Sequence, residues 1–206
     1  MIAMLALVAC VEDVSKDKVE AVVEEAPAKE APAQVAAPAG DAWTVDVSKS
    51  KVEALGAKIT AEHPIVFHDY EGTINVDGDT VKAVSFTVQM ASLEADHPKL
   101  TEHLKTPDFF DVPSHPTATF QSTEITPGSQ EEGMTHTVKG TFTIRGETKV
   151  ITFPAKIESS ESSVHASTTF ALNRKDFGIV YPGRPDDLVQ DKVVLTIDFQ
   201  AAKPQS

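Results

Sequence analysis

The stretch AVSFTVQM sets Val84, Phe86, Val88 and Met90 on one side of the chain and Ser85, Thr87 and Gln89 on the other. A period of two is the mark of a strand buried on one face only. The pattern recurs. Val138, Phe142 and Ile144 alternate with Lys139, Thr141 and Thr143, and Ile151, Phe153, Ala155 and Ile157 alternate with Thr152 and Lys156. Val164, Ala166, Phe170 and Leu172 follow, then Val193, Leu195, Ile197 and Phe199. Asp77-Gly78-Asp79, Pro127-Gly128-Ser129 and Arg145-Gly146-Glu147 supply turns between the runs. A single short helix is expected near residues 98–105, where Leu100 and Leu104 fall on one face. About eight strands with little helix predict an all-β fold, an antiparallel sheet that hides its edges by closing into an up-and-down barrel. A barrel of that size is just wide enough for side chains or for one small ligand. A two-sheet sandwich is the alternative.

Composition separates this body from what precedes it. The first 40 residues hold no aromatic residue, no glycine before Gly40, and three prolines set among Ala and Glu, so the core is built within residues 42–203. Residues 1–10, MIAMLALVAC, run nine residues without a charge and end on the only cysteine. That is too short to span a bilayer and suits the apolar part of a secretory signal. Leu7-Val8-Ala9-Cys10 resembles the bacterial lipoprotein signal, in which Cys10 would carry acyl chains; the other reading is a secretory signal with an incidental cysteine. No basic residue precedes the run, so the start reads as clipped or misassigned. Residues 11–41 are expected to be a disordered Ala/Pro/Glu-rich spacer, with at most a transient helix over Val19–Glu25.

Charge and motifs remove several function classes. The net charge is -13, of which residues 11–40, with seven acids and three bases, carry -4. No basic stripe interrupts this field, so nucleic-acid binding is not expected. The seven histidines include no i, i+4 pair and no HExxH, and three of them precede proline. No GxSxG elbow, Gly-rich phosphate loop or dinucleotide fingerprint is present. The acidic pairs Asp186-Asp187 and Glu131-Glu132 read as solvated turns. Neither a metal nor a catalytic residue is expected.

Four blocks then carry a resemblance: Trp43-Thr44-Val45-Asp46 at the first strand, HLKTPDFFDV followed by HPTATFQST, the hairpin VKGTFTIRGETKVITFPA, and LNRKDFGIVYPGRPDDLVQDKVVL. In that order they resemble the YceI-like family of lipid-binding proteins. The resemblance implies a lipocalin-like barrel, usually exported to the bacterial envelope, that holds a polyisoprenoid or similar long lipid. It implies no enzyme activity and no cofactor beyond the lipid.

Residues 103–120, HLKTPDFFDVPSHPTATF, place Phe109 and Phe110 where three prolines forbid regular structure. In an irregular turn both rings can face inward, either onto a cavity or as the cap of a solid core. The same two readings apply to Phe86, Val88, Met90, Phe120, Phe142, Ile144, Phe153, Phe170 and Leu172, and to Phe177 and Tyr181 beyond them. Only three arginines exist, and two lie in LNRKDFGIVYPGRPDD. Asn173, Arg174 and Arg184 are therefore the candidates for an anionic headgroup at the barrel mouth. The alternative pairs these arginines with Asp176, Asp186 or Asp187 to fasten the loop.

The expected partners are a long-chain lipid and the membrane through an anchor at Cys10, with a homodimer left open. The expected location is the bacterial envelope, on the periplasmic or outer-membrane face. The competing function is a tethered interaction module with a solid core and no lipid.

Overall fold

Alternating apolar residues form ladders wherever a neighbouring strand can cover the same face, and the computed structural model, which describes residues 11–26 and 40–204, is built almost entirely from them. The strands are β1 (Val22–Glu25), β2 (Asp41–Thr44), β3 (Lys51–Ala57), β4 (Glu62–Phe67), β5 (Tyr70–Asp77), β6 (Thr80–Gln89), β7 (Leu93–Ala95), β8 (Thr117–Pro127), β9 (His136–Ile144), β10 (Glu147–Ser159), β11 (Ser163–Asn173), β12 (Gly183–Arg184), β13 (Asp187–Leu188) and β14 (Lys192–Ala202). Among the described residues a single α-helix, α1, spans Pro98–Leu104, with Pro98 in its first turn and the His97 side chain accepting from the Lys99 amide.

Twelve strands make one sheet in the order β2-β5-β6-β8-β9-β10-β11-β14-β3-β4-β7, with β1 against β10; β12 and β13 form a separate hairpin. The sheet curls into a partly open barrel, and Val45, just beyond β2, bridges Ala201 near the end of β14. The strand count exceeds the eight expected because β2, β3, β4 and β7 are short or alternate through small residues such as Ala54 and Ala57, which leave a faint periodic signal.

The inward faces are the predicted ones. Phe86, Val88 and Met90 are buried on β6 and its end, Phe142 on β9, Phe153 on β10 and Phe170 on β11. The rings of Phe86, Phe120, Phe153 and Phe170 form a continuous run, with centroids 5.4 Å apart for Phe86–Phe120, 5.5 Å for Phe120–Phe153 and 4.4 Å for the stacked Phe153–Phe170. Between β9 and β10 the two-residue turn needs positive φ at both positions, which Arg145 (53°) and Gly146 (78°) adopt. A side chain at 146 would also meet the His115 ring, 2.7 Å from an added Cβ.

The N-terminal stretch departs from expectation. Residues 11–26, expected to be disordered, lie on the barrel. The Val11 amide donates to the Ile59 carbonyl at 2.8 Å. Gln190 takes the Val14 amide at 3.2 Å and donates to the Glu12 carbonyl at 3.1 Å. Val22–Glu25, expected at most as a transient helix, instead pair with Lys149–Thr152 as a strand. The segment lacks the apolar mass to fold alone, but an extended backbone can satisfy open strand edges that a helix cannot. At the other end of the expected spacer Asp41 already opens β2, and residues 27–39 and the expected signal with Cys10 lie outside the described residues.

Candidate functional site

At the end of the barrel where β9, β11 and β14 meet the loops, a cavity of about 650 Å³ opens between α1, the segment 106–112, the turn 174–181 and the β12–β13 hairpin. Its position follows from local chain chemistry. The Thr106 carbonyl accepts from the amides of Phe109 and Asp111, and the Leu104 carbonyl from Phe110. Asp111 takes a left-handed conformation, φ 46°, so the chain reverses tightly and both rings reach the cavity wall. Phe109 is buried, with its ring centroid 5.0 Å from His103 and 5.1 Å from Tyr181. Phe110 is half-buried.

The expected apolar residues divide into two groups. Phe109, Phe110, Phe142, Ile144, Leu172, Phe177 and Tyr181 line this cavity. Phe86, Val88, Met90, Phe120, Phe153 and Phe170 lie deeper, around a void of about 50 Å³ that Phe142 and Ile144 also touch. That space takes little more than one water-sized group. The upper group therefore walls an open chamber, while the lower group is packed core and forms its floor.

The headgroup candidates divide as well. Arg174 touches the cavity wall, but its guanidinium is already committed. Nε donates to the Gln190 carbonyl at 2.9 Å, one terminal nitrogen to the Ile179 carbonyl at 2.6 Å, and the other to Val189 and Asp191, each at 3.4 Å. Its side chain is only 4% exposed. Burial pulls its pKa down and Asp191 opposes that shift. The headgroup role expected for Arg174 thus gives way to a fastening role, through backbone carbonyls and Asp191 and not through Asp176, Asp186 or Asp187. Asn173 is corrected too, since its side chain accepts from the Lys175 amide at the head of the 3-10 turn and does not line the cavity. Arg184 is exposed at the rim on the β12–β13 hairpin, and its side chain makes no hydrogen bond or ion pair among the described residues.

That hairpin is pinned from below. Asp187 accepts from Lys58 at 2.7 Å and from the Thr60 hydroxyl at 2.8 Å. These two bonds, the Lys58 one first, hold its carboxyl below the ordinary range. Across the rim, His63 Nδ1 stands 3.0 Å from Asp96.

Sequence reading missed much of the opposite wall, including Ile65, Phe67, Leu100, Leu104, Ile179 and Gln190. A signal existed in EHPIVF, where His63, Ile65 and Phe67 share a face by alternation. Ile179 and Gln190 had none, because irregular chain carries no period.

Comparison with known proteins places this architecture. A family profile described as the YceI-like domain matches residues 43–201. The UPF0312 protein of Pseudomonas aeruginosa strain LESB58 is 32% identical over 123 residues, 55% of this chain and 61% of that protein, so the match spans less than two thirds of the relative's length. A UPF0312 protein of Pectobacterium atrosepticum is 32% identical over 93 residues, covering 44% and 46% of the two chains. Among solved structures, BcnA of Burkholderia cenocepacia superposes with a TM-score of 0.66 at 22% identity, covering 76% of this chain and 99% of that one. A domain of Saccharophagus degradans, described as polyisoprenoid-binding and implicated in plant cell wall breakdown, superposes with a TM-score of 0.62 at 12% identity, over 79% and 98%.

Proposed function

This chain belongs to the YceI-like family, and from that premise we propose that it binds a long-chain lipid, a polyisoprenoid or similar amphiphile, with the tail in the barrel cavity and no catalytic step. The observation that carries the reading is a chamber of about 650 Å³ whose wall is mostly apolar and whose polar groups gather at the rim. A solid interaction module would have no use for it. Each CH₂ withdrawn from water contributes about 0.8 kcal/mol before ordering costs, so a tail of about ten carbons supplies several kcal/mol net. Arg184 and Lys99, both exposed at the rim without an ion-pair partner among the described residues, suit a headgroup with an anionic or hydrogen-bond-accepting end. The description of the Saccharophagus degradans domain supports the tail chemistry.

We further propose that Cys10 is acylated and tethers the protein in the bacterial envelope. Val11 is bonded at the rim through Ile59, so an anchor on the preceding residue would hold the mouth toward the bilayer. Stable tethering needs more than one acyl chain.

Native mass spectrometry of the protein purified from a bacterial envelope fraction, followed by solvent extraction and lipid analysis, tests the first proposal. A stoichiometric co-purifying lipid is expected; an empty protein that also fails to displace a fluorescent fatty acid refutes it. For the anchor, Cys10→Ser should shift the protein from the membrane to the soluble fraction, and unchanged partitioning refutes it.

A further inference from the structure

The hairpin of β10 and β11 is directly paired only near its turn, Lys156–Ser159 against Val164–Ser167. Beyond that the two strands part, and residues 19–25 stand between them. The Ala171 amide donates to the Val19 carbonyl at 2.8 Å, and the Ala21 amide donates to the Ala171 carbonyl at 2.9 Å. On the other side Val22–Glu25 run antiparallel to Lys149–Thr152. The fork lies at Pro154, where no N–H exists to continue a β10–β11 ladder. The Pro154 carbonyl on the same edge is taken by the Thr168 hydroxyl at 2.6 Å. A segment from far upstream thus supplies a piece of the barrel wall.

Its hold differs in kind from that of its neighbours. β1 offers four residues to β10, where β9 offers nine and β14 gives β11 eleven. Only Ala21 is buried, Val23 packs partly against the core, and Val22 is 60% exposed. The remaining contacts are Glu24 to Lys139 at 2.9 Å, Glu25 to Lys149 at 2.6 Å, and Glu20 to Lys192. Those acids are half or more exposed, so the pairs are weak and screened by salt. Few buried apolar groups and a short ladder are the conditions for local opening at low free energy.

Behind the seam lie Ile151, Phe153 and Phe170 of the deep void and Leu172 of the main cavity. At roughly 30 Å³ for each water-sized group, the main cavity holds about 20 carbon atoms. A longer tail must stay outside or part the wall. We propose that residues 19–25 are a removable wall strand whose departure opens the β10–β11 seam, so that it sets the tail length the barrel accepts. This rests on the lipid-binding reading. Tails of up to about 20 carbons bind with the strand in place, and longer ones bind when it leaves.

The test locks the strand. Val22 and Thr152 face each other across the β1–β10 ladder. Val22→Cys with Thr152→Cys, in the full chain carrying Cys10→Ser, allows a disulfide that reduction removes. Isoprenols of 15 and 40 carbons are compared by displacement of a fluorescent fatty acid. The oxidised form should bind the short tail as the reduced form does and lose about tenfold or more for the long tail, with recovery on reduction. Equal affinity of both forms for the long tail, or equal loss at both lengths, overturns the proposal. Binding of neither tail by the reduced form refutes the lipid reading itself, an outcome distinct from failure of the seam. Should the disulfide not form, Glu20→Lys, Glu24→Lys and Glu25→Lys together loosen the strand by like-charge repulsion. They should strengthen long-tail binding about threefold or more and leave the short tail unchanged, while no change for the long tail overturns the proposal.

Discussion

Replacing Arg174 with methionine keeps an unbranched apolar stem in the same space and removes every donor, so it isolates what the guanidinium contributes. A buried bond to Ile179 at 2.6 Å, a partly buried one to Gln190 at 2.9 Å and two longer ones at 3.4 Å are lost. A buried carbonyl left without its donor costs about 1–3 kcal/mol. With two carbonyls stranded, and Val189 and Asp191 contributing less, the loss should be about 3–5 kcal/mol. In a domain of this length about 2–4 °C of Tm goes with each kcal/mol, giving a drop on the order of 10 °C. Urea unfolding followed by the fluorescence of Trp43, the only tryptophan, measures it directly. Arg184→Gln is the control: an exposed arginine whose side chain makes no bond among the described residues should change stability by less than about 0.5 kcal/mol. Binding reverses the ranking. Arg184→Gln should weaken an anionic amphiphile more than a neutral one of the same tail, whereas Arg174→Met should weaken both alike. An Arg174→Met protein of normal stability that loses only the anionic ligand would refute the fastening role.

Two further outcomes follow from the mouth. Phe109→Ala should cost about 3 kcal/mol in ligand-free stability, as for a core ring, while Phe110→Ala should cost roughly half that and lower amphiphile affinity further; denaturant titration and displacement read the two separately, and equal stability costs contradict the assignment. Asp187 has its folded-state pKa depressed by Lys58 and Thr60, so its contribution to pinning the β12–β13 hairpin is present above the unfolded value of about 3.9 and is lost as pH falls through the lower folded value. Hydrogen exchange over 183–188 should therefore be flat from neutral pH to about pH 4, after correction for intrinsic rates, and faster below it; an Asp187 that titrates at or above the ordinary aspartate value by NMR contradicts this.

What sequence alone could reveal depended on how far each feature is set by neighbours along the chain. The run Val84–Met90 alternates cleanly because every second residue packs on the same core, and its burial was readable from seven letters. Phe109-Phe110 could be marked as unusual, since prolines on both sides exclude a strand, yet the direction of the rings hung on the positive φ of Asp111. VEAVVEE, residues 19–25, gave the wrong picture. Its valines suit a strand, its glutamates suit a helix or a solvated coil, and with so little apolar mass the outcome is decided by the edges available elsewhere. Those edges exist because a proline sits at position 154, about 130 residues away, an influence no local window contains.

The arginines carry the same lesson into chemistry. A chamber open at one end must be rimmed by irregular chain, whose carbonyls have no ladder partner. Arg145 spans two such segments, donating to Gly178 at 2.6 Å and to Pro107 at 2.9 Å, and Arg174 ties Ile179 to Gln190. A planar fork with five donors can hold two carbonyls at once, which a lysine does less well. Scarce cations at a mouth are then as apt to be struts as ligand groups, and residue type does not separate them. The separation lies in how many donors are already spent inside the protein: Arg145 and Arg174 give theirs to the loops, whereas Arg184, with none spent among the described residues, is the one free to meet what enters.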